Sequence, residues 1–312
     1  MHRLRLRSWQ SSANLDRWAG VLFCISLVLA AFAFGVGVGW YRWFPFQLIQ
    51  TGKQDLVDFR RYWKSDLGIE PTRHLKPARY EGSGVTTWDQ DAAQTGLTLI
   101  VTLVDGRAGA KLISMDGDAL HQWGIGFSQV WHDPRHVDGG EVPHNDLSVS
   151  WKSAVLLPDG SAVFNFGGIG MVKVDVSSQV VWRLAERTHH LIHMAEDGSF
   201  WTLNRPPSGH SRHTPRPISP VRWEEPVLEE SILHVSPDGQ VLDEIHILDI
   251  LYEAGLEGLV YNSVVAVRSR HAAITHLNDV EVLRTADAQA FPNLEPGDLM
   301  VSARNLNLIL IL

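Results

Sequence analysis

A repeated hairpin governs what this chain can fold into. In its first form an apolar run meets an Asp-Gly turn and a second apolar run follows: Ser153-Ala-Val-Leu-Leu-Pro-Asp159-Gly160-Ser-Ala-Val-Phe164, then Leu191-Ile-His-Met-Ala-Glu-Asp197-Gly198-Ser-Phe-Trp-Thr-Leu203. A looser copy starts at His276 and returns through Asp298-Leu-Met-Val-Ser302 after a longer turn. The second form alternates with the first and tends to end on Trp: Lys111 to Trp123, Met171 to Trp182, and Ile232 to Ile245, with a further strand at Leu306 to Leu312. Alternation of period two across such turns specifies antiparallel hairpins. One hairpin of each form makes a four-stranded unit of about 40 to 75 residues, the size of a propeller blade. The expected fold is therefore all-β, a propeller of four-stranded blades. About three and a half units are present, against the roughly four to eight that close a ring. Because the last unit stops within its first strand, a truncated gene product is expected, since natural sheets avoid open edges.

A second constraint stands at the N-terminus. From Trp18 to Tyr41 there is no charged residue, and the run beginning at Gly20 is long enough to cross a hydrocarbon core of roughly 30 Å as a helix. Arg3, Arg5, Arg7 and Arg17 precede it, whereas Arg42 and Lys53 follow, so the basic excess places the N-terminus in the cytoplasm. Trp40, Tyr41, Trp43 and Phe44 form an interfacial aromatic belt at the exit. Ala31-Phe32-Ala33 has the small-x-small spacing of a signal cleavage site, but the apolar stretch is longer than a signal core, which favours an anchor. The resulting layout is a basic cytoplasmic segment at 1–17, a single-pass anchor in the inner membrane at 18–41, a juxtamembrane amphipathic helix and linker at 42–94, and a partial propeller at 95–312 in the periplasm or outside the cell. The formal net charge of −8 speaks against nucleic acid as a partner. Cys24, the single cysteine, lies inside the apolar run, so neither an intrachain disulfide nor a cysteine metal site forms.

Aligning the hairpins on their Asp-Gly turns puts Lys152 and His190 in one register, and His276 opens the third copy at the corresponding place. In a propeller the innermost strands line a channel, so cationic and imidazole side chains are expected to converge there. His189 fits that register less well than His190.

Thr188-His189-His190 before an Asp-Gly hairpin, His276-Leu277-Asn278 before a strand ending Val301-Ser302-Ala303-Arg304-Asn305, and the Trp-ended hairpins resemble the arylsulfotransferase family over about residues 95 to 312. The resemblance implies a six-bladed propeller. It also implies transfer of a sulfuryl group from a phenolic sulfate donor to a phenol acceptor, with no nucleotide donor and no cofactor. On that resemblance His190, His276, Asn278 and Arg304 are catalytic, with Lys152 and His189 as substrate contacts. Sulfuryl transfer, like phosphoryl transfer, is driven by positioning and by stabilising the equatorial oxygens. Arg offers a fork of donors, Asn an amide donor, and His a hydrogen bond or a proton for the departing phenolate. The family's nucleophile is a further histidine, N-sulfonated in a ping-pong cycle and carried by a blade after the Arg-bearing strand. That places it beyond Leu312 and leaves catalysis by this chain alone open. The competing reading is a non-catalytic, membrane-anchored propeller that binds a partner or small ligand, because fold does not dictate function.

His132, Asp133, His136, His144 and Asp146 are metal-ligand types, yet their spacing fits no compact site, and no metal is expected. The Pro- and Arg-rich run from Arg205 to Pro220 reads as a solvated loop between hairpins.

Overall fold

The computed structural model describes residues 12–41, 44–70, 75–137, 141–206, 228–266 and 273–312. Arg3, Arg5, Arg7, Arg42, Trp43 and most of the Arg205 to Pro220 run lie outside these residues. The chain divides into two units, Met1–Trp63 and Lys64–Leu312. In the first, α1 (Ser12–Tyr41) contains a 25-residue segment, Arg17–Tyr41, in which a window of 18 residues has a mean hydropathy of 2.6. Its length and composition suit a membrane anchor and a signal sequence alike. α2 (Phe46–Asp66) has the amphipathic spacing expected of a juxtamembrane helix and runs into the start of the second unit.

The second unit is mostly β, built as four antiparallel meanders. β1 (Thr98–Val104), β2 (Arg107–Ile113) and β3 (Ala119–Gly124) form one sheet, after which comes the short α3 (Phe127–Val130). β4 (Trp151–Leu156), β5 (Ala162–Phe166), β6 (Gly170–Val174) and β7 (Val180–Leu184) form the next. The third holds β8 (Thr188–Met194), β9 (Phe200–Asn204), β10 (Ser231–Val235) and β11 (Val241–His246). The last holds β12 (Leu277–Val282), β13 (Leu299–Ala303) and β14 (Leu308–Ile311). The first strands of successive sheets are neighbours, with β4 beside β1 and β8, and β12 beside β8.

The hairpins fall where the sequence pattern puts them, and one turn geometry serves them. At 157–161 the Gly160 N–H bonds Leu157 O at 3.0 Å and the Leu157 N–H bonds Ser161 O at 2.8 Å, with Gly160 at φ 81°. This is a tight turn followed by a left-handed residue, a hairpin loop that glycine enters without steric cost. Asp159 Oδ1 accepts from the Ser161 N–H at 2.9 Å, which explains the Asp before the Gly. The same pair of backbone bonds recurs at 114–118, 175–179, 195–199 and 236–240. Ser178, at φ 61°, takes the glycine place at 175–179. The terminal Trp of the second hairpin form links sheets: Trp182 Nε1 donates to Pro237 O at 3.0 Å, and its ring lies so close over Gly239 that a Cβ there would stand 2.6 Å from it.

The apolar core lies in slabs between successive sheets. Trp123, Trp151, Phe164 and Phe166 fill the first, where the Trp151 and Phe164 rings stack at 3.4 Å. Met171, Ile192, Phe200 and Leu233 fill the second, and Leu203, Ile232, Leu277 and Val301 the third. The third slab also holds α4 (Ile247–Glu253) and part of α5 (Glu257–Ala266), through Leu251 and Val260. These helices depart from the all-β expectation. Ile247, Leu248 and Leu251 carry a helical period in the sequence, but one turn of it is too short to stand out beside the strands.

Candidate functional site

Each of β4, β8 and β12 has a register shift near its start: between Trp151 and Ala154, between His189 and Ile192, and between Leu277 and Asp279. A bulge inserts extra residues and re-aims their side chains. Lys152, His190 and Asn278 occupy these bulges, and His276 immediately precedes the third. His190 and His276 have φ of 54° and 47°, a left-handed conformation that costs a non-glycine residue about 1–2 kcal/mol.

Buried side chains hold that strain in place. Asn165 Nδ2, on the neighbouring sheet, donates to His190 O at 3.3 Å and to Thr202 Oγ1 at 3.0 Å. Thr202 Oγ1 donates to Leu191 O at 3.0 Å, and Ser153 Oγ accepts from the Ile192 N–H at 3.2 Å. The backbone groups that the bulge takes out of the β-ladder are thereby satisfied. Around His276, the Arg304 N–H donates to His276 O at 3.1 Å, and Glu230 Oε2 accepts from Thr275 Oγ1 and, at 2.8 Å, from the Leu277 N–H.

The imidazoles form a row. His189 Nδ1 and His190 Nδ1 are 2.7 Å apart, and the His190 and His276 rings meet edge to face with centroids 5.6 Å apart. His190 and His276 are half-buried, whereas His189 is 2% exposed and Glu230 1%. His189, expected as a substrate contact, is accordingly an interior side chain held against His190. Lys152 lays its stem over Gly167, where a Cβ would stand 2.7 Å from Lys152 Cγ. Arg304 is exposed at the end of β13, and Asn278 is half-buried in its bulge.

Sequence reading missed Arg205, which follows β9 directly. Its N–H donates to Arg187 O at 3.2 Å, and its buried Nε has no partner among the described residues. Its charge bears on Lys152, His189, His190 and His276. Glu230 and Asn165 were missed as well. Neither has a local signature, since Glu230 merely precedes a strand and Asn165 sits inside an apolar one.

The electrostatics favour neutral imidazole. Burial, then the charges of Arg205 and His190, pushes His189 well below the usual histidine range. Burial, then His276, Arg205, Lys152 and Arg304, lowers His190 to about 4. Burial and then Arg304 and Arg205 lower His276. Lys152 is exposed overall, so the partial desolvation that lowers it, with Arg205 second, has a modest effect. Burial raises Glu230, opposed by its bonds to Thr275 and Leu277. The charges of Lys152, Arg205 and Arg304 thus stand beside a row of neutral imidazoles.

The three depressed histidines have a consequence for stability. Between about pH 6.5 and 4 the unfolded chain binds more protons than the folded one, so stability is present above pH 6.5 and is lost as pH falls through that window. Glu230 acts in the opposite sense, losing stability as pH rises through its raised value, but it is one group against three. The urea midpoint is expected to drop steadily between pH 7 and pH 5, and to drop less in His190→Asn. A midpoint independent of pH in the unsubstituted chain would contradict the burial of neutral imidazoles.

Three members of the other candidate cluster, Asp133, His136 and Asp146, are held in structural contacts. His136 Nε2 bonds Ile169 O at 2.6 Å, Asp133 pairs with Arg135 at 2.6 Å, and Asp146 Oδ1 accepts from the Ser128 N–H at 2.9 Å. Asn145 Nδ2 holds the Ser65 and Asp66 carbonyls at the end of α2. Among the described residues no group of three or more His, Cys, Asp or Glu is arranged to hold a metal ion.

Fold and geometry together define a protein of neighbouring antiparallel meanders whose first strands bring Lys152, His190 and His276 together, with Arg205 and Arg304 beside them. The sequence profile of the family described as Arylsulfotransferase (ASST) matches residues 153–312, about half of the chain, and the chain belongs to that family. No curated protein matches it.

Proposed function

We propose that this chain carries a sulfuryl-transfer site, moving the group from an aryl sulfate donor to a phenolic acceptor, on a propeller built from the meanders of residues 95–312. The observation that supports this reading best is the convergence of Lys152, His190, Arg205, His276 and Arg304, in which Arg205 or another of these groups depresses the ionisation of each histidine. In the proposed reaction the sulfur to aryl-oxygen bond breaks with its electron pair left on the phenolate, while the acceptor's atom bonds to sulfur. Arg304 and Arg205 hold the sulfuryl oxygens through guanidinium forks, Lys152 adds a point charge, and Asn278 an amide donor. His276 stands beside His190 to steady the charge on the departing phenolate. A sulfohistidine intermediate, as in the resemblance set out above, belongs to the same proposal.

α1 serves in this proposal as a single-pass anchor, with residues 1–17 cytoplasmic, 42–94 as helix and linker, and the sheets in the periplasm. The test is transfer of sulfate from a chromogenic aryl sulfate to a phenol without a nucleotide donor, by the chain in detergent. His190→Ala and Arg304→Ala are each expected to lose at least about a hundred-fold in rate, the usual loss when an oxyanion-type contact is removed. Undiminished transfer in both variants would rule out this site. Binding of the aryl sulfate without any transfer by the unsubstituted chain would favour a propeller that only binds its ligand.

A further inference from the structure

Glu230 is almost completely buried beside the imidazole row, with the charge of Arg205 acting on it, and makes no contact that the sulfuryl group itself requires. Its Oε2 is occupied by Thr275 Oγ1 and the Leu277 N–H. Its Oε1 has no hydrogen-bond partner among the described residues, and neither has His189 Nε2. These two orphaned buried atoms are 3.6 Å apart, an ion-pair separation rather than a hydrogen bond. Buried polar atoms are paired in native proteins, and here each supplies what the other lacks if Nε2 carries the proton. That assignment settles the next contact. A neutral His189 protonated on Nε2 has a lone pair on Nδ1, so in the 2.7 Å contact His190 Nδ1 must be the donor. A neutral His190 protonated on Nδ1 has its lone pair on Nε2.

We infer that Glu230, His189 and His190 form an orienting chain that leaves His190 unprotonated on Nε2, making His190 the base that takes the acceptor phenol's proton. The role rests on the sulfuryl-transfer reading, whereas the orientation does not. In the step, the acceptor O–H proton passes to His190 Nε2 as the oxygen's electron pair bonds to sulfur. The bond between sulfur and the nitrogen of the sulfohistidine carrier breaks with its pair left on that nitrogen, and His190 holds the proton until it gives it to the phenolate leaving the next donor. Glu230 and His189 touch neither substrate nor reacting atoms and are positioning residues. The positive groups facing His190 are Arg205, Lys152 and Arg304, joined by His276 when it is protonated. A bound sulfuryl anion counters them, so His190 gains basicity when the acceptor is present.

The experiment labels the histidines of the full chain with ¹⁵N in detergent at pH 7.5, without substrate, and reads the tautomer of His190, its signals assigned by their loss in His190→Gln. The Nδ1–H tautomer is expected. Glu230→Gln keeps an amide oxygen for Thr275 and Leu277 but points an NH₂ donor at His189 Nε2, so both imidazoles should reverse and His190 should become the Nε2–H tautomer. Transfer by Glu230→Gln should fall about ten-fold or more with weakly acidic phenols and little with phenols already ionised at the assay pH. An Nε2–H His190 in the unsubstituted chain, the same tautomer in both proteins, or an equal loss for every acceptor would overturn the inference. The expected tautomers in a chain that transfers no sulfate would retain the orientation and remove the base role together with the sulfuryl-transfer reading.

Discussion

Arg205→Ala is expected to lower kcat/KM for sulfuryl transfer by about a hundred- to a thousand-fold, the range found when a preorganised donor to a developing oxyanion is deleted. Arg205 is half-buried, and its charge contributes to holding down Lys152, His189, His190 and His276. Loss of that charge should therefore raise the His190 pKa above its value of about 4, in the direction opposite to a burial effect. Arg205→Lys restores the charge without the planar fork, so it should recover the low His190 pKa while recovering only part of the rate. Kinetics and a histidine titration on the same samples separate the two effects. Full activity in Arg205→Ala would remove Arg205 from the site and return it to the loop assigned by sequence alone.

Glu230→Ala is expected to have the largest effect on stability, about 3–5 kcal/mol, because it strips partners from several buried groups at once. The Thr275 hydroxyl and Leu277 N–H lose their acceptor on either side of His276, and His189 loses the carboxylate facing it. Glu230→Gln retains an acceptor for Thr275 and Leu277 and should cost about 1 kcal/mol, near the net value of one hydrogen bond. Urea unfolding of the two variants measures the difference through their midpoints. Equal midpoints would mean that Glu230 is not the tie between the turn at His276 and the third sheet.

Much of the site was legible through one device, the hairpin turn. Because the turns at Asp159 and Asp197 have the same backbone bonds, counting back from each lands on Lys152 and His190, which both sit in bulges of first strands. His276 was read from the third copy despite its longer turn and Asn278 from the family resemblance, and the pairing of β12 with β13 brings both to the same end as Arg304. His189 was harder to judge. It neighbours the bulge of β8, and whether such a residue faces the opening or the interior depends on how the bulge is resolved, which alternation along a strand does not encode. Arg205 was masked by the prolines that follow it, which mark the segment as a loop without saying where the loop begins relative to the opening.

Hairpins, their order and the apolar N-terminal helix were determined by the sequence alone, because period-two alternation, Asp-Gly turn chemistry and uncharged length are local properties that each segment carries within itself. Tertiary structure alone decided that Glu230 meets Thr275 across 45 positions, that Asn165 reaches Thr202 across 37, and that Arg205 joins the histidines. Those contacts arise only when the sheets stack and bring their first strands together. A buried carboxylate or amide has no sequence signature of its own, since its partner is fixed by packing rather than by spacing along the chain.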